Sequence, residues 1–220
     1  MTTFSPADAV EDRSLDLLRQ VRILLLLSGA ADAGLEPVPL PILHTLAYLS
    51  NALAPVWSLQ PFDGKILKRR GSPFYPTLQW DVDHLVGKGV IRVHDIRYSE
   101  DNGQWRIDAS YSLNEPMASK ILTTIEEVGY EPRLKSFCAE LAQAVAALPY
   151  DLISEILGED ASYGDPTIEV SNVVNFGEGR SVNFTANSAE AFRPDLSLTP
   201  SERVHMYVQH LQDRADRHAS

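Results

Sequence analysis

Apolar residues recur at helical spacing through Leu15, Leu18, Val21 and Leu25, behind Asp12 or Ser14 as a cap and ahead of Gly29 and Gly34 as stops. Pro41 suits the first turn of a second helix, whose Ile42, Leu46, Leu49 and Leu53 share one face before Pro55 closes it. After a loop holding Pro61, Gly64, Gly71 and Pro73, Pro76 opens a third helix from about Thr77 to Lys88. The period then changes. Residues 90–98 are rich in β-branched and aromatic side chains, Asn102-Gly103 is a tight-turn pair, and Trp105, Ile107, Ala109, Tyr111 and Leu113 alternate with polar residues. This predicts a hairpin with those five side chains packed on the helices.

Beyond Asn114 the helical period returns. Met117, Ile121, Leu122, Ile125 and Val128 mark one helix; Leu134, Phe137, Cys138, Leu141, Val145 and Leu148 mark another, which Leu152, Ile153, Ile156 and Leu157 extend past Pro149. Residues 162–166 read as a turn. Residues 168–176 and 180–185 pair as a second hairpin around Gly177 and Gly179. Thr199-Pro200-Ser201-Glu202 is a capping box, opening a terminal helix with Val204, Tyr207 and Leu211 inward. The order predicts an α+β protein. Residues 1–115 form a winged-helix-like module of three helices and a β-hairpin. Residues 116–220 form a mainly helical, acidic part with a small second hairpin and a C-terminal helix.

Charge sharpens that division. The net charge is −11 over 220 residues, but residues 1–99 carry 10 acids and 10 bases, and residues 191–220 carry 4 of each. Residues 100–190 hold 16 acids against 5 bases, so the excess lies there, and that segment repels nucleic acid and anionic membrane. The single cysteine rules out an internal disulfide and fits a reducing compartment. The longest apolar run, residues 23–27, is far too short to span a bilayer, and the N-terminus lacks a signal-type stretch, so a cytoplasmic protein is expected.

Candidate chemistry is sparse. Gly64-Lys65 lacks the remainder of a phosphate loop, and no Gly-x-Gly-x-x-Gly occurs. None of the six histidines has a ligand-spaced partner, and His205 and His210 fall on different helix faces. Cys138 sits among apolar residues and reads as a small core hydrophobe. Glu126-Glu127 and Glu159-Asp160 read as solvated charge near helix ends. No catalytic residue, metal or cofactor is therefore expected. Two features stand out. Lys65, Lys68, Arg69 and Arg70 can hold phosphate by charge, or serve as a solvated loop or as ion-pair partners of the acidic segment. On the third helix, Leu78, Val82, Leu85 and Val86 must face inward, which turns Trp80 and His84 outward. Asp81 or Asp83 near that face has the wrong sign for phosphate. An outward tryptophan beside carboxylates suits a protein interface, unless the second half of the chain covers it.

Residues 67–76, Leu-Lys-Arg-Arg-Gly-Ser-Pro-Phe-Tyr-Pro, with the following helix to Gly89 and with residues 162–167, Ser-Tyr-Gly-Asp-Pro-Thr, resemble the middle components of bacterial three-component systems. In these, a small adaptor accompanies an ATPase of the structural-maintenance-of-chromosomes (SMC) type. The resemblance implies a defence-associated adaptor without catalytic residues of its own, bound to a larger protein partner. The alternative is a winged-helix DNA-binding transcriptional regulator or antitoxin-like protein using the same module. DNA contact, if any, is expected to be weak, non-specific and confined to the first half, and tight binding to one sequence would favour the regulator.

Overall fold

A computed structural model describes residues 6–62, 65–68, 73–101, 104–153, 155–169, 172–175, 183–192 and 197–219. Helix α1 (Pro6–Asp32) starts ahead of the predicted caps, with proline in its first turn. It does not stop at Gly29. That residue lets α1 approach α5 (Pro132–Ala146): a Cβ there would lie 3.0 Å from the Cys138 carbonyl oxygen and 3.1 Å from the Ala139 Cα. The chain leaves the helix at Gly34, whose φ of +80° favours glycine.

Strand β1 (Val38–Pro39) leads into α2 (Leu40–Ala52), with proline in its first turn, and then a 3₁₀ turn at Ala54–Trp57. Next come β2 (Lys65–Leu67), α3 (Pro76–Gly87), β3 (Ile91–Asp101) and β4 (Gln104–Leu113). The strands β1 and β3 flank β4, both antiparallel to it, with Val38 opposite Tyr111 and Ile91 opposite Leu113. Helix α4 (Glu115–Glu127), α5, β5 (Val173–Asn175), α6 (Phe184–Ala191) and α7 (Pro200–Ala219) complete the α+β fold. One apolar core joins both halves of the chain: Ile23 and Leu26 of α1, Leu43 and Leu46 of α2, Phe137 and Leu141 of α5, and Tyr207 and Leu211 of α7. Among the described residues, no helix is long and apolar enough to cross a membrane.

Three expectations are corrected. Pro149 ends the α5 helical run, and two 3₁₀ turns, Tyr150–Leu152 and Ile156–Glu159, replace its extension, because the proline ring lacks a donor and clashes with the preceding turn. The second hairpin is not seen among the described residues. Strand β5 pairs with β2 instead, with Lys65 opposite Asn175 and Leu67 opposite Val173. Phe184 and Thr185 belong to α6, where the Asn183 side chain accepts from the Ala186 N–H at 3.0 Å and starts the helix; residues 180–182 lie outside the described residues.

The third correction concerns the β3–β4 hairpin. Ala109, Tyr111 and Leu113 are buried on the helices, but Ile107 is 57% exposed; the Trp105 side chain lies outside the described residues. The strands outrun the helices beneath them. A bulge places Asp95, at φ +50°, and Ile96 opposite Ala109, marking where the ladder leaves the body. Beyond it Tyr98 sits opposite Ile107, and both are exposed. Ile107→Asp is therefore expected to change stability by only about 0.5 kcal/mol, as exposed substitutions do. A melting curve checks this, and a large loss would show that the ribbon is covered.

Candidate interaction surface

Helix α3 is oriented by its apolar stripe. Leu78, Val82 and Leu85 are buried and Val86 packs against the core, which leaves Trp80 67% exposed with His84 beside it, ring centroids 5.8 Å apart. None of the described residues of the second half covers Trp80. Asp81 does not share that outer face: it is buried, accepting from Arg19 Nε at 2.6 Å and from Gln20 Nε2 at 3.1 Å. The pull of Asp81 and Asp16 raises the Arg19 pKa despite the burial that opposes it.

Asp83 stays outside, and it is held in place. Gln79 Nε2 donates to Asp83 Oδ1 at 2.8 Å and reaches the Tyr111 hydroxyl on β4 at 3.4 Å. Gln79 Oε1 lies 3.4 Å from Nε2 of the buried His44, whose Nδ1 accepts from the Tyr75 N–H at 3.3 Å. A polar relay thus runs from the core to a surface carboxylate one turn from Trp80. Trp80, Asp83, His84, Gly87 and Lys88 line a shallow depression of about 400 Å³.

Of the basic cluster, only the Lys68 side chain falls among the described residues. Lys65 lies in β2, with its side chain outside the described residues, as are Arg69 and Arg70 entirely. The Lys68 ammonium turns toward the body, donating to the Asp165 carbonyl oxygen at 2.7 Å and lying 5.8 Å from the Tyr163 ring centroid. Burial lowers its pKa, with Asp165 opposing. Leu67 and Phe74 exchange backbone hydrogen bonds at 3.2 Å across the segment between them.

A second polar assembly was missed in the sequence. Asp160, read there as solvated, is 2% exposed. Its Oδ1 accepts from the Tyr48 hydroxyl at 2.5 Å, the Tyr163 N–H at 2.7 Å and the Ser162 N–H at 2.9 Å. Its Oδ2 accepts from the Tyr207 hydroxyl at 2.7 Å, and the Thr185 hydroxyl reaches both oxygens. Burial first, and then the Asp160 charge, raise the pKa of both phenols, so they remain donors. Tyr48 and Thr185 are fully buried, so the cluster joins α2, α6 and α7 rather than meeting a substrate. The sequence signal was Asp160 two residues before Ser162, an Asx-turn spacing, followed by Gly164. A Cβ on Gly164 would fall 2.3 Å from the Gly158 carbonyl oxygen. Neighbouring Glu159 points outward, accepting from Arg214 at 3.2 Å and His218 at 2.7 Å.

Cys138 is buried, and burial pushes its thiol up to about 12, far from the thiolate a nucleophile needs. No protein-family model, curated protein or solved structure matches the chain.

Proposed function

We propose that the chain is a cytoplasmic, non-catalytic adaptor subunit that binds a larger protein partner through the outer face of α3. The observation that carries this reading is the exposed Trp80 with an oriented carboxylate one turn away. A tryptophan left in water on a rigid helix is unfavourable unless a partner covers it, and tryptophans are enriched among residues that dominate binding energy. The resemblance of residues 67–76 and 162–167 to middle components points to an SMC-type ATPase in a bacterial defence complex as the partner. The order α1, β1, α2, β2, α3, β3, β4, with β1 beside β4, supports residues 1–115 as a winged-helix-like module, to which β2 adds a strand paired with β5. Co-expression with its genomic neighbours tests the reading. A stoichiometric complex that survives gel filtration is expected, and elution of the chain alone would overturn it.

The same element order favours a second reading, a DNA-binding regulator with α3 in the major groove. Asp83 on that face and the net charge of −11 oppose it. DNA binding is expected to be weak, independent of sequence and steeply reduced by salt, because only counterion release drives it. Fluorescence anisotropy at two salt concentrations checks this. Nanomolar affinity for one sequence at physiological salt would establish the regulator instead.

A further inference from the structure

We propose that the Trp80 depression receives an arginine side chain from a basic segment of the protein partner, a proposal that rests on the adaptor reading above. Three features of the depression select a planar cation. The indole face of Trp80 attracts positive charge, and the His84 ring, tilted 51° to it, forms a second wall. Gly87 lines it without a side chain, and a Cβ built there would meet no atom within 4 Å. The Asp83 carboxylate stands one turn from Trp80, already oriented by Gln79 and, through it, by His44. A guanidinium is flat enough to stack on the indole while its N–H fork reaches the carboxylate, which an ammonium cannot do as well.

The acidic excess of the chain lies in residues 100–190, outside this balanced half, so the charge that selects the ligand is the local Asp83 carboxylate. Lys88 on the rim is the one feature of opposite sign, and it gives the proposal a two-sided test. Asp83 and Lys88 are exposed, and Asn at 83 can still accept from Gln79, so neither Asp83→Asn nor Lys88→Glu endangers folding.

The full chain is titrated with acetyl-Gly-Arg-Gly-amide and with the matching citrulline peptide, which keeps the shape and removes the charge, while the backbone amide signals of Asp83, His84 and Gly87 are followed by NMR. The arginine peptide is expected to shift these signals, and citrulline to bind about tenfold more weakly. Asp83→Asn should weaken arginine binding by about tenfold and Lys88→Glu should strengthen it. Equal binding of citrulline, weakening by Lys88→Glu, or no shift at all overturns the proposal. The partner complex separates this failure from that of the adaptor reading. If Trp80→Ala abolishes the complex while Asp83→Asn and Lys88→Glu leave its affinity unchanged, arginine recognition is wrong and the adaptor surface stands. If Trp80→Ala changes nothing, the surface itself is wrong.

Discussion

Asp160→Ala is expected to lower the unfolding free energy by about 4 kcal/mol or more, enough to leave a chain of ordinary stability, about 5–15 kcal/mol, poorly folded. The substitution removes the acceptor for three hydroxyls and two backbone N–H groups at once. Tyr48 and Thr185 are fully buried and Tyr207 nearly so, so water cannot replace the carboxylate without entering the core. Each orphaned buried donor costs about 1–3 kcal/mol, though relaxation keeps the sum below simple addition. Asp160→Asn is the control. Its amide oxygen can keep the contacts of Oδ1, and the Tyr207 hydroxyl can rotate to accept from the new N–H₂, so a smaller loss of about 2 kcal/mol is expected. Urea denaturation of the three proteins checks the order wild type, Asn, Ala. An Asp160→Ala protein within about 1 kcal/mol of wild type would show that the cluster does not hold α7 to α2.

That site was illegible in the sequence for a physical reason. A carboxylate before a glycine turn looks the same whether it faces water or a pair of tyrosines 112 and 47 residues away in the chain. Periodicity reports which face of an element is apolar; it says nothing about what distant polar group arrives on the other side. The legible features were those set by local chemistry. Pro76 and the Leu78, Val82, Leu85 stripe fixed both the start of α3 and the outward direction of Trp80. Thr199 and Glu202 form the reciprocal cap expected of them, Thr199 N–H donating to Glu202 Oε2 at 2.8 Å and Glu202 N–H to Thr199 Oγ1 at 3.3 Å.

Where the pattern misled, it had the correct residues and the wrong neighbours. The alternation from Trp105 to Leu113 is real, but alternation cannot tell a strand that lies over helices from one that outruns them, and Ile107 falls past the edge. The apolar residues at 173 and 174 mark a strand, and its described partner is β2, about a hundred residues earlier. Gly29 looked like a helix stop and is a helix–helix contact. Of the basic run, read as a phosphate holder, a solvated loop or partners for the acidic segment, the described Lys68 donates to the Asp165 carbonyl oxygen and lies over the Tyr163 ring.

Trp80→Ala is expected to leave the isolated chain as stable as wild type, within about 0.5 kcal/mol, and to weaken the partner complex by about thirtyfold. The first half follows from exposure: at 67% the indole has little surface to lose from the core, and its described ring contact is with His84, another exposed side chain. A tryptophan covered by its own chain would behave oppositely, costing about 3–5 kcal/mol on truncation. The second half follows from the depression. An indole that closes against a partner contributes about 2 kcal/mol or more, and about 1.4 kcal/mol corresponds to a tenfold change in affinity, which sets the thirtyfold figure. The two measurements are independent: a thermal melt without partner, and a titration of the complex. A melt lowered by many degrees would return Trp80 to the core. An unchanged melt with unchanged affinity would leave α3 outside the interface, and the adaptor would have to bind elsewhere.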